Sequence, residues 1–124
     1  MGQTFQPGVE TWYPSDSPSS KFSAIFEDDG DTGYLYAYDR ALPEASILDA
    51  VHIYNVKSVV DRERPSVVEI TWSADGLKAA LLINDHPHAV INFSECCSYC
   101  RTEFPPAFAP WRHEAWSDAL MKWF

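Results

Sequence analysis

The stretch "HEAWSDALMKWF", His113–Phe124, decides the fold class. Trp116, Leu120 and Trp123 fall at i, i+4 and i+7, with Ala115 and Ala119 alongside, which is the spacing of one apolar helix face. The stretch therefore predicts an amphipathic helix from about His113 to the last residue. Such a face must be covered, and what lies upstream to cover it reads as strands.

In "FSAIFE" (Phe22–Glu27), Phe22, Ala24 and Phe26 alternate with Ser23, Ile25 and Glu27. In "YLYAY" (Tyr34–Tyr38), three tyrosines alternate with Leu35 and Ala37. Period two is the strand signature. The pair predicts a hairpin closed by a six-residue loop, Asp28–Gly33, with Gly30 and Gly33 supplying the backbone freedom a turn needs. "ILDAVHIYNV" is β-branched and aromatic, which predicts a strand from about Val51 after one helical turn. Val68, Ile70 and Trp72 form the next strand, Ala74–Gly76 a tight turn, and Leu77–Ile83 a strand apolar on both faces and so central. Asn84–Pro87 turns again into Ala89–Phe93, and the cysteine segment with "FPPAFAPW" reads as irregular chain fixed by Pro105, Pro106 and Pro110. The expected fold is α+β, a largely antiparallel sheet of about six strands with the C-terminal amphipathic helix packed on it. Residues 1–21, rich in Pro and Ser, read as an N-terminal arm, with Phe5, Trp12 and Tyr13 as its docking points. Residues 22–124 read as one globular domain.

The chain has 124 residues, 46% hydrophobic and 15% aromatic, enough for a single packed core. It carries 18 acidic against 9 basic residues, a formal net charge of −9. That field repels phosphates and anionic membranes, so neither a nucleic-acid nor a membrane partner is expected, and encounters with a basic protein are accelerated. No secretory apolar run or spanning segment is read in the sequence. Cys96, Cys97 and Cys100 are odd in number and crowded, a poor disulfide framework, so a reduced, cytoplasmic protein is expected. The sequence does not state an oligomeric state.

Several residue groups invite a chemical reading. Counted from Asp28, a twelve-residue calcium loop would place Gly33 sixth and Asp39 twelfth, but Gly30 and Thr32 occupy positions that want oxygen ligands. A loop solvated at its tip, or a recognition edge made of Asp28, Asp29 and Asp31 beside Tyr34 and Tyr36, fits better. Cys97-x-x-Cys100 is one half of a zinc site, yet His86 and His88 do not supply the usual second half. His52 in a strand with Asp49 three residues earlier is the only acid–base pair in view, and a hydrogen-bonded structural histidine explains it as well. No phosphate loop, nucleophile elbow or zinc-protease helix is present. No catalytic residue, metal ligand or cofactor is assigned.

The blocks "EDDGDTGYLYAYD", "ILDAVHIYNV", "WSADGLKAALLINDHPHAVINF" and "CRTEFPP…W" resemble those of an uncharacterised bacterial domain-of-unknown-function family of short acidic proteins. The resemblance covers about Phe22 to Trp111 and implies a single-domain bacterial protein. It transfers no site residue.

Two classes of function remain. One is a non-enzymatic protein-binding module, for instance an immunity-type protein that occludes a basic partner through Asp28, Asp29, Asp31, Tyr34 and Tyr36. The other is a small-ligand binder or enzyme using an aromatic sheet face with His52 and Asp49.

Overall fold

The computed structural model describes residues 2–42, 47–102, 105–107 and 109–124. Among them the chain forms ten strands. These are β1 (Gln3–Phe5), β2 (Thr11–Asp16), β3 (Phe22–Asp28), β4 (Thr32–Asp39), β5 (Ile47–Asn55), β6 (Ser66–Trp72), β7 (Lys78–Ile83), β8 (His86–Asn92), β9 (Cys97–Cys100) and β10 (Arg112–Ala115). They make a six-stranded sheet in the order β1-β6-β7-β8-β9-β10 and a four-stranded sheet in the order β2-β3-β4-β5. The pairings are antiparallel apart from β9–β10, which is parallel.

This overturns the α+β expectation. Strands take up 53% of the structure, helical turns 8%, and no helix among the described residues reaches seven residues. The terminal stretch divides instead. Arg112–Ala115 joins the sheet in register with Cys97–Cys100. Asp118–Trp123 then forms a 3₁₀ turn, begun by Ser117, whose Oγ accepts the Ala119 N–H at 3.3 Å. Once β10 has taken its share, the remainder is too short to nucleate a stable α-helix. A 3₁₀ turn, at three residues per turn, still puts Leu120 and Trp123 on one side. Apolar spacing thus reported burial correctly and conformation wrongly. Leu120, 8% exposed, packs with Ala80 and Val90 on the outer face of the six-stranded sheet, ringed by Trp116, Met121, Trp123 and Phe124. Arg101 sits 4.8 Å over the Trp116 ring and Lys78 5.5 Å over Trp123.

The Pro/Ser-rich start is woven into both sheets rather than forming an arm. β1 pairs with β6, and β2 pairs with β3 from Thr11↔Asp28 to Asp16↔Ser23. Pro14 is tolerated because β2 is an edge strand. The serines that made this stretch look like a linker cap the β6–β7 turn. Ser17 and Ser20 hydroxyls donate to the Gly76 carbonyl at 2.7 and 2.9 Å. Gly76 has φ of +70°, and a Cβ there would collide with the Ser17 and Ser19 hydroxyls, so both backbone and space require glycine.

Other boundaries move less. The β3–β4 connection is Asp29–Asp31, shorter than the six residues expected, because Asp28 and Gly33 still pair as strand residues. β5 starts at Ile47 without a helical turn. Asn84 and Asp85, with φ of 53° and 64°, close β7 to β8 in the two-residue geometry that matches strand twist. The cysteine segment is the strand β9, not irregular chain. Of the passage after it, Glu103, Phe104 and Phe108 lie outside the described residues.

One core lies between the sheets. Phe26, Leu35 and Val51 come from the four-stranded sheet, and Val68, Leu81 and Ile91 from the six-stranded one, all essentially fully buried. This face-to-face packing is a β-sandwich. No helix of the described residues is long and apolar enough to cross a membrane.

Candidate functional site

Strand alternation gives the four-stranded sheet an outer face. Register places Trp12 opposite Glu27, Ile25 opposite Tyr36, and Tyr34 opposite His52 on this side, while Phe26, Leu35 and Val51 point inward. Trp12 is 54% exposed. Its ring lies 6.3 Å from Tyr36, which stacks on Tyr34 at 6.1 Å with an interplanar angle of 13°. Tyr34 meets the His52 ring edge-on at 5.8 Å. The result is a continuous aromatic row across β2, β4 and β5. Ile47 adds an exposed apolar side chain on β5.

Carboxylates frame the row. The Tyr36 hydroxyl donates to Glu27 Oε1 at 2.8 Å, and burial together with that bond holds the phenol well above its ordinary pKa. Glu10 and Glu27 flank Trp12 in a shallow hollow of about 170 Å³. Of the three aspartates expected at an exposed tip, only two are there. Asp28 is 1% exposed and accepts from Gly8 N–H (2.9 Å), Gly30 N–H (2.8 Å) and the Tyr54 hydroxyl (2.6 Å). It braces the loop from inside, and its place in the tip is corrected accordingly. Asp29 and Asp31 are exposed. Asp29 Oδ1 accepts the N–H groups of Asp31 and Thr32 at 2.9 and 2.8 Å, which holds its carboxyl below the usual range. Across a cleft of about 450 Å³ from Asp31 stand Lys57 and Arg62, so the tip is acidic on one flank only. Asp39, the last residue of the calcium-loop count, pairs with Phe22 at the far end of β4 and bridges to Lys21 at 3.4 Å. Asp28 and Asp39 are therefore separated by the length of the hairpin.

His52 and Asp49 do not meet. Residues three apart on a strand face opposite ways, and register sends His52 outward with Tyr34 while Asp49 turns into the core. His52 Nε2 lies 3.1 Å from Asn55 Oδ1. Asp49 instead joins the sheets. Both its oxygens are 2.8 Å from His113 Nε2, and the Ser98 hydroxyl donates to Oδ2 at 2.6 Å. The Trp111 indole N–H in turn donates to Ser98 Oγ at 2.9 Å. The Asp49 and His113 side chains are 3% and 5% exposed. Ser, His and Asp are thus neighbours, but not as a catalytic triad. Ser98 donates to the carboxylate rather than to the imidazole, so no base activates the hydroxyl. The network bolts β5 of one sheet to β9 and β10 of the other.

Cys97 and Cys100 are also three apart on a strand and therefore face opposite ways, with Cys100 in the main core. Burial raises the Cys97 thiol. No group of three His, Cys, Asp or Glu placed to hold a metal occurs among the described residues. His86 and His88 stand ring to ring at 5.3 Å on β8.

His88 is mostly buried. Burial, then the nearby His86 and Arg101, lower its pKa from 6.5 to about 4. The folded state therefore binds fewer protons than the unfolded state between these values, and stability falls as pH drops from about 6.5 to about 4. Allowing for solvent screening of a partly exposed ring, the loss is on the order of 1–2 kcal/mol. Denaturant unfolding of His88→Gln across this window will show a correspondingly shallower decline than the wild type. Parallel curves would remove His88 as the cause.

Trp12, Glu10 and Glu27 were not singled out as site residues in the sequence. The signal available was the alternation of Trp12 and Pro14 with Tyr13 and Ser15, masked by the surrounding prolines and serines.

The fold is an all-β two-sheet sandwich with an exposed aromatic face rimmed by carboxylates, and its interior polar groups are spent on joining the sheets. The chain belongs to the family described as "Uncharacterized protein conserved in bacteria (DUF2251)", whose profile matches residues 5–124. A relative from Haemophilus influenzae (strain ATCC 51907 / DSM 11121 / KW20 / Rd), called "Uncharacterized protein", is 42% identical over 84 residues. That match covers 68% of this chain and 52% of the relative, so the chain spans about half the relative's length. No solved structure matches the chain.

Proposed function

We propose that this chain is a non-enzymatic protein-binding module that docks a basic partner on the outer face of its four-stranded sheet. The observation that carries this reading is the Trp12–Tyr36–Tyr34 row, with Trp12 54% exposed in a shallow hollow between Glu10 and Glu27. Aromatic anchors that leave water are the residues that dominate binding energies, and a carboxylate rim selects a partner by charge. Lysine and arginine side chains suit the place doubly, since they lie on indole and phenol faces and pair with Glu10 and Glu27. An occluding role of the immunity type, in a bacterial cytoplasm, is the form this reading takes. The formal charge of −9 speeds encounter with such a partner.

A photo-crosslinking residue at position 12 tests the proposal. The expected result is one dominant adduct, whose protein component carries net positive charge and protects the aromatic row from hydrogen exchange when purified and remixed. A crosslinker at Val67, an exposed position in the other sheet, will not trap it. Trapping of the same protein equally from both positions would overturn the assignment of the face.

A further inference from the structure

The sandwich is open at a second place, far less polar than the first. Between the connector after β5 and the β6–β8 end of the six-stranded sheet lies a groove of about 320 Å³. That is the small end of the size range of ligand clefts, roughly 300–1,000 Å³. Phe5, Ile83 and the Tyr54 ring line it, and Val59 and Val60 stand at its side. Val60 is 84% exposed, an apolar side chain given to water at the rim of an apolar groove.

The mouth of the groove carries His86 and His88. Apart from their mutual ring contact, neither imidazole has a hydrogen-bond partner among the described residues. Arg101 comes to the same corner, its guanidinium donating to the carbonyl of Pro87, between the two histidines, at 3.0 Å from Nη2. None of the residues lining the groove is acidic, in a chain with twice as many carboxylates as basic groups. Local charge here is therefore opposite to that of the molecule as a whole. An apolar trough ending in nitrogen donors is complementary to a molecule with a hydrocarbon body and an anionic head. Two imidazoles with no third His, Cys, Asp or Glu beside them fall short of a structural metal site.

We propose that this groove binds a small amphiphilic carboxylate, its apolar body lying along Phe5, Ile83, Val59 and Val60 and its head received by His86 and His88. The site is independent of the aromatic face, and neither needs the other to be correct.

The test is an NMR titration of the whole chain with sodium octanoate, and in parallel with octylammonium and octan-1-ol. Imidazole resonances of His86 and His88 and methyl resonances of Val59, Val60 and Ile83 report the groove. Octanoate will shift both sets saturably, with an affinity about tenfold or more above that of either uncharged or cationic analogue, the worth of one charge-assisted hydrogen bond. The H86Q/H88Q double variant will lose about that same factor for octanoate and none for octanol. Should the variant not fold, the three ligands on the wild type decide the matter. Absence of shifts at the groove, or equal affinity for all three ligands, overturns the proposal.

Discussion

Replacing Asp49 with alanine will destabilise the protein by about 3–5 kcal/mol, the range for breaking a buried charged pair by removing one member. The carboxylate is the hub of the link between the sheets, taking His113 Nε2 at 2.8 Å and the Ser98 hydroxyl at 2.6 Å. Without it, a buried imidazole and a buried hydroxyl both lose their partner, and His113 Nδ1 already has none among the described residues. Asp49→Asn keeps an acceptor for Ser98 and will cost less than the alanine variant. Urea unfolding measured by tryptophan fluorescence checks both. A loss below about 1 kcal/mol in Asp49→Ala would mean that the sheets are held by apolar packing alone.

Phe26→Ala will cost a similar amount, about 3–5 kcal/mol, by a different route. Phe26 is fully buried at the centre of β3, edge-on to Phe5 at 5.1 Å and tilted against Tyr54 at 6.2 Å. Its removal leaves a cavity between residues of β1, β3 and β5, which rigid strands close poorly. Because Phe5 belongs to the β1 edge, amide exchange in β1 will accelerate more than in β7. Unchanged stability would contradict the placement of the core between the sheets.

How far such features could be read from the residues depends on how local their causes are. β3, β4, β6 and β7 announce themselves because alternation is written within each strand and Gly76 marks a turn. β1 and β2 are hidden: the first is short, the second contains Pro14, and their serines look like linker although they serve the β6–β7 turn. β10 is hidden for a stronger reason. Its parallel partner β9 is separated by the whole proline-rich passage, and the adjoining Trp116, Leu120 and Trp123 mimic a helix face. The site shows the same division. Tyr34 and Tyr36 follow from period two, whereas Asp28 turned out to be buried because Gly8 and Tyr54, both distant in sequence, supply its donors. The pairing of Asp49 with His52 failed on grounds the sequence does contain, since a spacing of three cannot share a strand face. Its true partner, His113, lay within the segment misread as helix.

The central claim is that the aromatic row and its acidic rim form one docking face. Stopped-flow association with the partner trapped at position 12, measured from low to physiological salt, tests it most directly. Wild-type association will slow steeply with salt, since steering fades over a Debye length of about 10 Å at 0.1 M. Asp29→Asn with Asp31→Asn will flatten that dependence and leave dissociation nearly unchanged. Trp12→Ala will do the reverse, raising the dissociation rate by about 30-fold or more, as for a hot-spot residue worth 2 kcal/mol or more. If Trp12→Ala dissociates at the wild-type rate and the double asparagine variant keeps the wild-type salt dependence, the face is an ordinary solvated sheet surface and the proposed function falls.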